Sequence, residues 1–190
     1  MVEPEIEIYI NTGNATDDEA AEQMLETLDT ETAIRRTLQA VHVTQPVMLT
    51  CMVSGDAEMQ ALNKQHRQQD KTTDVLSFPL LDEPLVQAPA EWLWQTPEEA
   101  EHVASETMPS PKPQFVTPAE LPKNLGDIVI SWPTIKRQAS AAGHGVDYEL
   151  LFLLCHGVLH LVGYDDQTEA GYAEMVRLQK EVLAEIYREG

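Results

Sequence analysis

The spacing of apolar and polar residues along the chain predicts a small α+β fold. Apolar runs, alternating or continuous and bounded by turn residues, indicate β-strands. Four such strands are predicted, over residues 5–10, 47–53, 74–79 and 126–131. Helical periodicity predicts about five helices, over residues 16–41, 56–66, 133–142, 146–162 and 168–187. Because strands and helices alternate, we expect a mixed four-stranded β-sheet with the helices packed on it.

Residues 82–123 interrupt this pattern between the third and fourth predicted strands. Most of the twelve prolines of the chain lie there, among eight acidic residues and without a sustained hydrophobic period. Loops of this length are uncommon in compact domains. We therefore interpret the range as an acidic, proline-rich insertion in one domain that spans residues 1–190. Trp92 and Trp94 can anchor it by packing on the domain or can form a substrate platform, and packing is the favoured interpretation.

The formal net charge of −20 disfavours a nucleic-acid partner at first sight, because phosphate contacts need Lys and Arg. The charge is unevenly distributed. Residues 1–31 carry ten acids and no Lys or Arg, whereas residues 32–81 carry five bases and four acids. An anion-binding surface is therefore expected in residues 32–81, and most other acids are expected to form a solvated surface.

Cysteine usage and the start of the chain predict a cytoplasmic location. Cys51 and Cys155 lie in apolar runs and form no C-x-x-C pair, which indicates free, buried thiols in a reducing compartment. The first ten residues lack the basic start of a signal peptide, and no run approaches the roughly 20 apolar residues that span a bilayer. We expect a soluble protein with no membrane partner.

The run from His156 to Asp166 has the spacing of a metal site at a helix end. His156 and His160 stand at i and i+4, so their side chains project from one helix face. Gly163 can take the left-handed conformation that ends a helix, which would carry Asp166 back as a third ligand. Three protein ligands leave one position open for a reactive water, as in catalytic zinc sites. A histidine pair alone is equally typical of a core helix, but the glycine turn and the acid favour the metal site.

The residue after the first histidine separates this pattern from the H-E-x-x-H metalloproteases. That residue is Gly157, which cannot act as the general base that their glutamate provides. The spacing still resembles that of the metzincin peptidases, so a related scaffold with another reaction is the favoured interpretation. Asp165 can replace the base, orient a histidine or cap the turn, and the last two roles are favoured together.

Three segments resemble the signatures of the YbeY family, bacterial single-strand-specific endoribonucleases that act in ribosomal RNA maturation. The first is residues 156–166, similar to H-G-x-L-H-L-x-G-Y-D-H. The second is residues 62–79, similar to L-N-x-x-x-R followed by K-x-T-D-V-L-S-F-P, and the third is residues 125–131, similar to L-G-D-I-x-I-S. The resemblance covers most of the chain outside the N-terminus and the insertion, and the family's small sheet flanked by helices agrees with the predicted fold.

The resemblance implies a function and the residues that perform it. It implies one Zn²⁺ per chain, bound by His156, His160 and Asp166, and a catalytic Arg67 that contacts the RNA phosphate. It also implies ribosomal RNA and the small ribosomal subunit as partners, with roles in 3′-end maturation of the small-subunit RNA and in ribosome quality control; no DNA partner is expected. The family has histidine where this chain has Asp166, so we expect an altered metal preference or a higher pH optimum.

Other interpretations stay open at the level of sequence. His42, His66, His102 and His144 stand at no ligand spacing from one another and are interpreted as structural or surface residues. A zinc-containing ribosome-assembly factor without catalytic activity is the first rival function. A metallohydrolase acting on a peptide or another small substrate is the second.

Overall fold

The computed structural model describes residues 3–95 and 121–189. Four strands are present in these residues: β1 (Glu5–Asn11), β2 (Val47–Ser54), β3 (Val75–Pro79) and β4 (Lys123–Ser131). The helices there are α1 (Ala15–Thr27), α2 (Thr30–Ala40), α3 (Asp56–Arg67), α4 (Trp132–Ala142), α5 (Val146–Val162) and α6 (Glu169–Glu189), with a 3₁₀ turn at Ala90–Trp92. The predicted α+β class is confirmed, and each predicted strand overlaps an observed one.

The sheet has the order β1-β2-β4-β3. Strands β1, β2 and β4 are parallel, whereas β3 runs antiparallel to β4 at one edge. The sheet is therefore mixed, as predicted.

Strand β4 begins three residues before its predicted start at Gly126. The register with β2 shifts near this point, and Gly126 has a φ of 117°. A Cβ atom there would lie 2.1 Å from the carbonyl oxygen of Phe78, so only glycine allows β3 to come this close. Gly126 marks an irregularity inside the strand, and the prediction took it for the strand end.

The prediction of one helix over residues 16–41 is wrong. Two helices occupy this range, so the described residues contain six α-helices where about five were expected. Asp29 separates α1 from α2, and its side chain accepts a hydrogen bond from the main-chain N–H of Thr32. An aspartate at this position satisfies one of the free N–H groups of a new helix. The first helix also starts earlier than predicted, because Asn14 caps it.

Only part of the predicted insertion is described. Residues 96–120, including His102, lie outside the described residues, whereas residues 82–95 run from β3 to the end of α5. The single-domain organisation of residues 1–190 stays a prediction.

Helix α5 is the most buried helix of the described structure. It contacts α2, α4, α6 and the sheet, and its apolar residues form much of the main core. Cys51 and Cys155 are free thiols buried in this interior, and burial raises the pKa of Cys51 to about 12 and that of Cys155 to about 11. The prediction of buried, free thiols is confirmed.

Helices α4 and α5 are joined at a sharp bend of 116°. Gly143 ends α4 with a φ of 77°, a left-handed conformation typical of glycine. Among residues 3–95 and 121–189, no helix is by itself long and apolar enough to cross a membrane. This bent pair meets the criterion jointly, on length and composition alone.

A carboxylate network connects α3 to β4 and α4. One oxygen of Asp56 accepts hydrogen bonds from the hydroxyls of Ser131, at 2.6 Å, and Thr134, at 2.8 Å, and the other pairs with Arg137 at 2.8 Å. Burial alone would raise the pKa of Asp56. The hydrogen bonds from Arg137, Ser131 and Thr134 outweigh burial and hold the pKa at about 2. Asp56 thereby fixes the start of α3, the helix that ends at Arg67.

Replacing Asp56 by Asn should destabilise the protein at pH 7 by about 1–3 kcal/mol, because the charged hydrogen bonds are lost. The carboxylate has a pKa of about 2 in the fold and about 3.9 in an unfolded chain. Its stabilisation is therefore complete above about pH 4 and is lost as the pH falls toward 2. Urea unfolding should show the difference between wild type and variant shrinking over this interval.

Asp70→Asn is the matched control, because Asp70 pairs with Lys64 at the exposed surface. Water screens such a pair, so the control should lose less stability. Equal losses in both variants, or an Asp56→Asn difference that does not change with pH, would contradict the network.

Candidate metal centre

Helix α5 and the turn after it bring the three predicted ligands together. The Nε2 atoms of His156 and His160 lie 3.0 Å apart. One carboxylate oxygen of Asp166 lies 3.7 Å from Nε2 of His156 and 3.9 Å from Nε2 of His160. Gly163 ends the helix with a φ of 128°, which turns the chain back toward the histidines. The predicted arrangement of helix, glycine turn and third ligand is therefore present.

Both histidines are oriented through their other ring nitrogen. Nδ1 of His160 donates to the carbonyl oxygen of Tyr164 at 2.9 Å. Nδ1 of His156 lies 3.4 Å from Oε1 of Gln179, whose amide nitrogen donates to the carbonyl of Phe152. Gln179 is fully buried, so its orientation is fixed. Such partners of the distal nitrogen select the tautomer in which Nε2 carries a free lone pair.

These contacts leave two lone pairs that face each other. If both Nδ1 atoms carry the proton, the 3.0 Å between the Nε2 atoms cannot be a hydrogen bond of neutral rings. Burial lowers the pKa of His156, and burial together with the neighbouring His156 lowers that of His160 to about 4, so both rings are neutral at neutral pH. A tetrahedral ion with bonds of about 2.0–2.1 Å separates its ligand atoms by about 3.3 Å. The two nitrogens and the Asp166 oxygen therefore fit a shared cation.

Gly157 faces the sheet. A Cβ atom at this position would lie 2.7 Å from Cγ2 of Ile128, a fully buried residue of β4. The glycine lets the helix lie directly on the strand. A general base at position 157 has no room, so any base must come from another element.

Asp165 does not line the site. Its carboxylate accepts a hydrogen bond from the main-chain N–H of Gln167, 3.2 Å away, and its own N–H donates to the carbonyl of Trp92 at 2.8 Å. These contacts support turn capping, one of the favoured alternatives. They do not support the use of Asp165 as a replacement base.

The ligands open into a cleft of about 150 Å³ between α3, β3 and α5. Arg67, the last residue of α3, lines this cleft together with both histidines and Asp166. Its side chain is exposed and makes no ion pair with residues 3–95 or 121–189, so the guanidinium is available to an anion. The structure thus brings all four predicted site residues to one cleft.

Four further residues of the cleft were not assigned a role from the sequence: Thr73, Asp74, Val75 and Ser77. The Asp74 carboxylate accepts hydrogen bonds from the main-chain N–H of Val75, the hydroxyl of Thr73 and the amide of Gln138. The Ser77 hydroxyl is buried and has no hydrogen-bond partner among the described residues. The sequence signal for these residues was the segment K-x-T-D-V-L-S-F-P. It forms β3 and the turn before it, and both face the cleft.

The other described histidines lie away from the ligands. His66 packs edge-on against Phe78, His144 pairs with Glu149 at 3.0 Å, and His42 is exposed on a turn with a φ of 61°. These placements agree with structural and surface roles. His102 lies outside the described residues.

The indoles of Trp92 and Trp94 both contact the domain. Trp92 packs against the main core, and the indole N–H of Trp94 donates to the carbonyl oxygen of His160 at 3.2 Å. Packing, the favoured interpretation, is supported over a substrate platform.

Comparison with known proteins places this geometry in a family. The family model described as Endoribonuclease YbeY matches residues 11–187. The chain belongs to this family. The Endoribonuclease YbeY of Dehalococcoides mccartyi strain BAV1 is 40% identical over 139 residues, covering 73% of this chain and 74% of that protein. The Roseiflexus sp. strain RS-1 protein of the same name is 35% identical over 154 residues, covering 80% of this chain and 79% of that protein.

A solved structure is also similar. The solution structure of TM1509 from Thermotoga maritima is 22% identical, with a TM-score of 0.49 over 97% of this chain and 90% of that chain. The family assignment therefore depends on the sequence matches. It agrees with the resemblance seen in the three sequence motifs.

Gly157→Ala tests whether position 157 faces the sheet. The added methyl group overlaps Ile128, and overpacking of this kind costs about 1–3 kcal/mol of folding stability. Urea unfolding should therefore show a destabilised protein. The double variant Gly157→Ala/Ile128→Ala should lose less than the sum of the single losses, because the smaller side chain makes room. Additive losses would show that residue 157 does not pack on Ile128.

Proposed function

We propose that this protein is a metal-dependent endoribonuclease that cuts single-stranded regions of ribosomal RNA. One observation carries the proposal: the guanidinium of Arg67, which makes no ion pair within the described part of the chain, lines the same cleft as the two histidines and Asp166. An ion beside a phosphate-binding arginine is an arrangement suited to phosphodiester hydrolysis. Membership of the Endoribonuclease YbeY family supports RNA as the substrate.

The proposed metal is Zn²⁺, held by Nε2 of His156, Nε2 of His160 and a carboxylate oxygen of Asp166. Imidazole nitrogen and carboxylate oxygen are ligands that zinc accepts, and three protein ligands leave a position for water or substrate. When bound, the ion supplies Lewis acidity toward a phosphoryl oxygen or an activated water. Gln179 and the Tyr164 carbonyl hold the rings so that the two Nε2 atoms lie side by side, where they would hold the ion.

Arg67 is proposed as the residue that binds the scissile phosphate. A guanidinium offers a planar fork of donors to two phosphate oxygens and stays charged at all working pH values. Position also matters, because Arg67 ends a helix that Asp56 anchors to β4 and α4. The arginine is therefore presented to the cleft from a fixed element.

The strong negative charge of the chain shapes the choice of substrate. A polyanion is repelled by most of the surface, so productive contact is confined to the cleft, where Arg67 and the bound cation offset the acids. A single-stranded segment can reach such a site with few phosphate contacts, whereas a duplex must bring two strands close to the acidic surface.

The proposed setting is the assembling small ribosomal subunit in the cytoplasm. Maturation of the 3′ end of its RNA and removal of defective ribosomes are the proposed roles, carried over from the sequence resemblance. A protein with few phosphate contacts of its own needs other components to present the RNA. We therefore expect cleavage to be faster on pre-ribosomal particles than on naked RNA.

Cleavage of an end-labelled single-stranded RNA tests the function. Purified protein of known Zn²⁺ content should cut the RNA, and Arg67→Ala should reduce kcat/KM about 10–100-fold, because a charged hydrogen bond of about 1.5–3 kcal/mol is lost. His160→Ala should abolish both the metal content and the cleavage. Arg36→Ala is the matched control, because Arg36 lies outside the cleft and pairs with Glu185. Cleavage that is equal in all four proteins would come from a contaminating nuclease and would overturn the proposal.

Asp166→His tests the effect of the third ligand. The carboxylate adds negative charge to the site and makes the bound water less acidic than three neutral imidazoles do. The histidine variant should therefore have a lower pH optimum and a stronger preference for Zn²⁺ over Mn²⁺. The measurement is a pH–rate profile with each metal, together with its dissociation constant. Unchanged profiles and constants would contradict a role of Asp166 in tuning the ion.

A further inference from the structure

The ligand helix ends at carbonyl groups that need partners. The last carbonyls of any α-helix have no intrahelical donor, and a buried end must find donors elsewhere. Residues 82–95, which we call the strap, supply them at the end of α5. The main-chain N–H of Leu85 donates to the Val162 carbonyl at 2.8 Å, and that of Trp94 donates to the Gly163 carbonyl at 2.9 Å. The indole N–H of Trp94 donates to the carbonyl of the ligand His160, as a second donor beside the main-chain N–H of Gly163.

The strap also holds the turn that leads to Asp166. Leu93 pairs with Tyr164 in an antiparallel bridge, and the N–H of Asp165 donates to the Trp92 carbonyl at 2.8 Å. The hydroxyl of Thr168 donates to the carbonyl of Glu91, the residue before Trp92. Strap and turn therefore run side by side over several residues. The turn is kept from moving away from the helix end.

A close packing contact adds to these hydrogen bonds. A Cβ atom at Gly163 would lie 2.6 Å from Cβ of Pro84, so the strap touches the backbone of the helix terminus directly. Gly163 thus has two functions: its positive φ ends the helix, and its missing side chain admits the strap.

These contacts reach the proposed ligand His160 by two routes, one direct and one through Tyr164. The Tyr164 carbonyl receives the Nδ1 proton of His160, and Tyr164 is the residue bridged by Leu93. The strap therefore holds His160 twice, at its own carbonyl through Trp94 and at its ring through Tyr164. Partners of this kind fix the ring orientation and commonly change metal affinity or activity 10–100-fold when removed.

We infer that the strap is part of the metal centre and that Trp94 is a positioning residue for His160. The inference rests on the proposed function, since it requires these residues to bind the ion. It assigns a role to the first part of the insertion, which the sequence motifs left without one. Trp94 acts through His160 and does not touch the ion or the substrate.

Trp94→Phe is the variant that tests the inference, because it keeps an aromatic ring and removes only the indole N–H. Titration of the metal-free protein with Zn²⁺ against a chromophoric chelator should show about a tenfold weaker affinity. NMR of the His160 ring nitrogens should show an altered shift. At saturating Zn²⁺, kcat for RNA cleavage should fall while KM stays constant, because the phosphate contact of Arg67 is untouched.

Trp92→Phe is the matched control. The Trp92 indole nitrogen makes no hydrogen bond with a described residue, and the strap uses only its main-chain carbonyl. This control should bind Zn²⁺ as the wild type does. Urea unfolding of both variants, with saturating Zn²⁺ and without it, separates two causes. A weakened metal site lowers the stability relative to the wild type only when Zn²⁺ is present. A general loss of packing lowers it in both conditions.

The outcomes separate the strap from the proposed function. If His160→Ala loses Zn²⁺ while Trp94→Phe keeps wild-type affinity and ring shifts, the inference on the strap is overturned and the metal site stands. If His160→Ala binds Zn²⁺ like the wild type, the proposed ligand set is overturned, and the strap's role with it. Weakened binding in Trp94→Phe, with normal binding in Trp92→Phe, supports the inference.

Discussion

The close packing of α5 on β4 is the contact on which the site depends. Gly157 has no side chain, so the helix axis lies near enough to the sheet for Ile128 to fill the space beneath it. Close-packed interiors resist such a helix shifting or turning, because every displacement opens a void or creates a clash. With α5 fixed in rotation, His156 and His160 must face the cleft beside β3. The same packing explains why this chain lacks the glutamate of the metalloproteases, because position 157, which would carry it, is buried against the sheet.

The motif of the ligand helix could be predicted from sequence because it is local. The spacing of His156, His160, Gly163 and Asp166 depends only on helical geometry and on a glycine with positive φ, and all four behave as that geometry requires. The strand pattern succeeded for the same reason, since each run carried its own period. The break between α1 and α2 was not predicted, because the apolar period continues across Asp29. Only the cap that Asp29 provides for α2 marks the break.

The walls of the cleft could not be predicted in this way, because they combine distant segments. Thr73, Asp74 and Ser77 come from β3 and the turn before it, and they meet α5 only because β3 lies antiparallel at the sheet edge beside β4. The strap was missed for a similar reason. Its composition is that of a loop, and the donors it offers to α5 are mostly main-chain N–H groups, which leave no trace in a residue pattern. Trp94 was recognised as an anchor, but its partner, the carbonyl of a ligand, depends on the fold.

In the proposed function, the end of α5 also explains how so acidic a chain holds a cation next to an RNA phosphate. The end of α5 carries the partial negative charge of the helix dipole, and Asp166 adds a full one, so a bound dication is favoured there. The N–H groups of the strap donate to the carbonyls at the end of α5 and neutralise part of their negative charge. These hydrogen bonds keep the helix end intact, and the Asp166 carboxylate supplies most of the remaining negative charge. In the proposed function the dication outweighs the charge of Asp166 and, with Arg67 in the same cleft, offers positive charge to an approaching phosphate. The proposed metal centre is thus both the reactive group and the electrostatic entrance for the substrate.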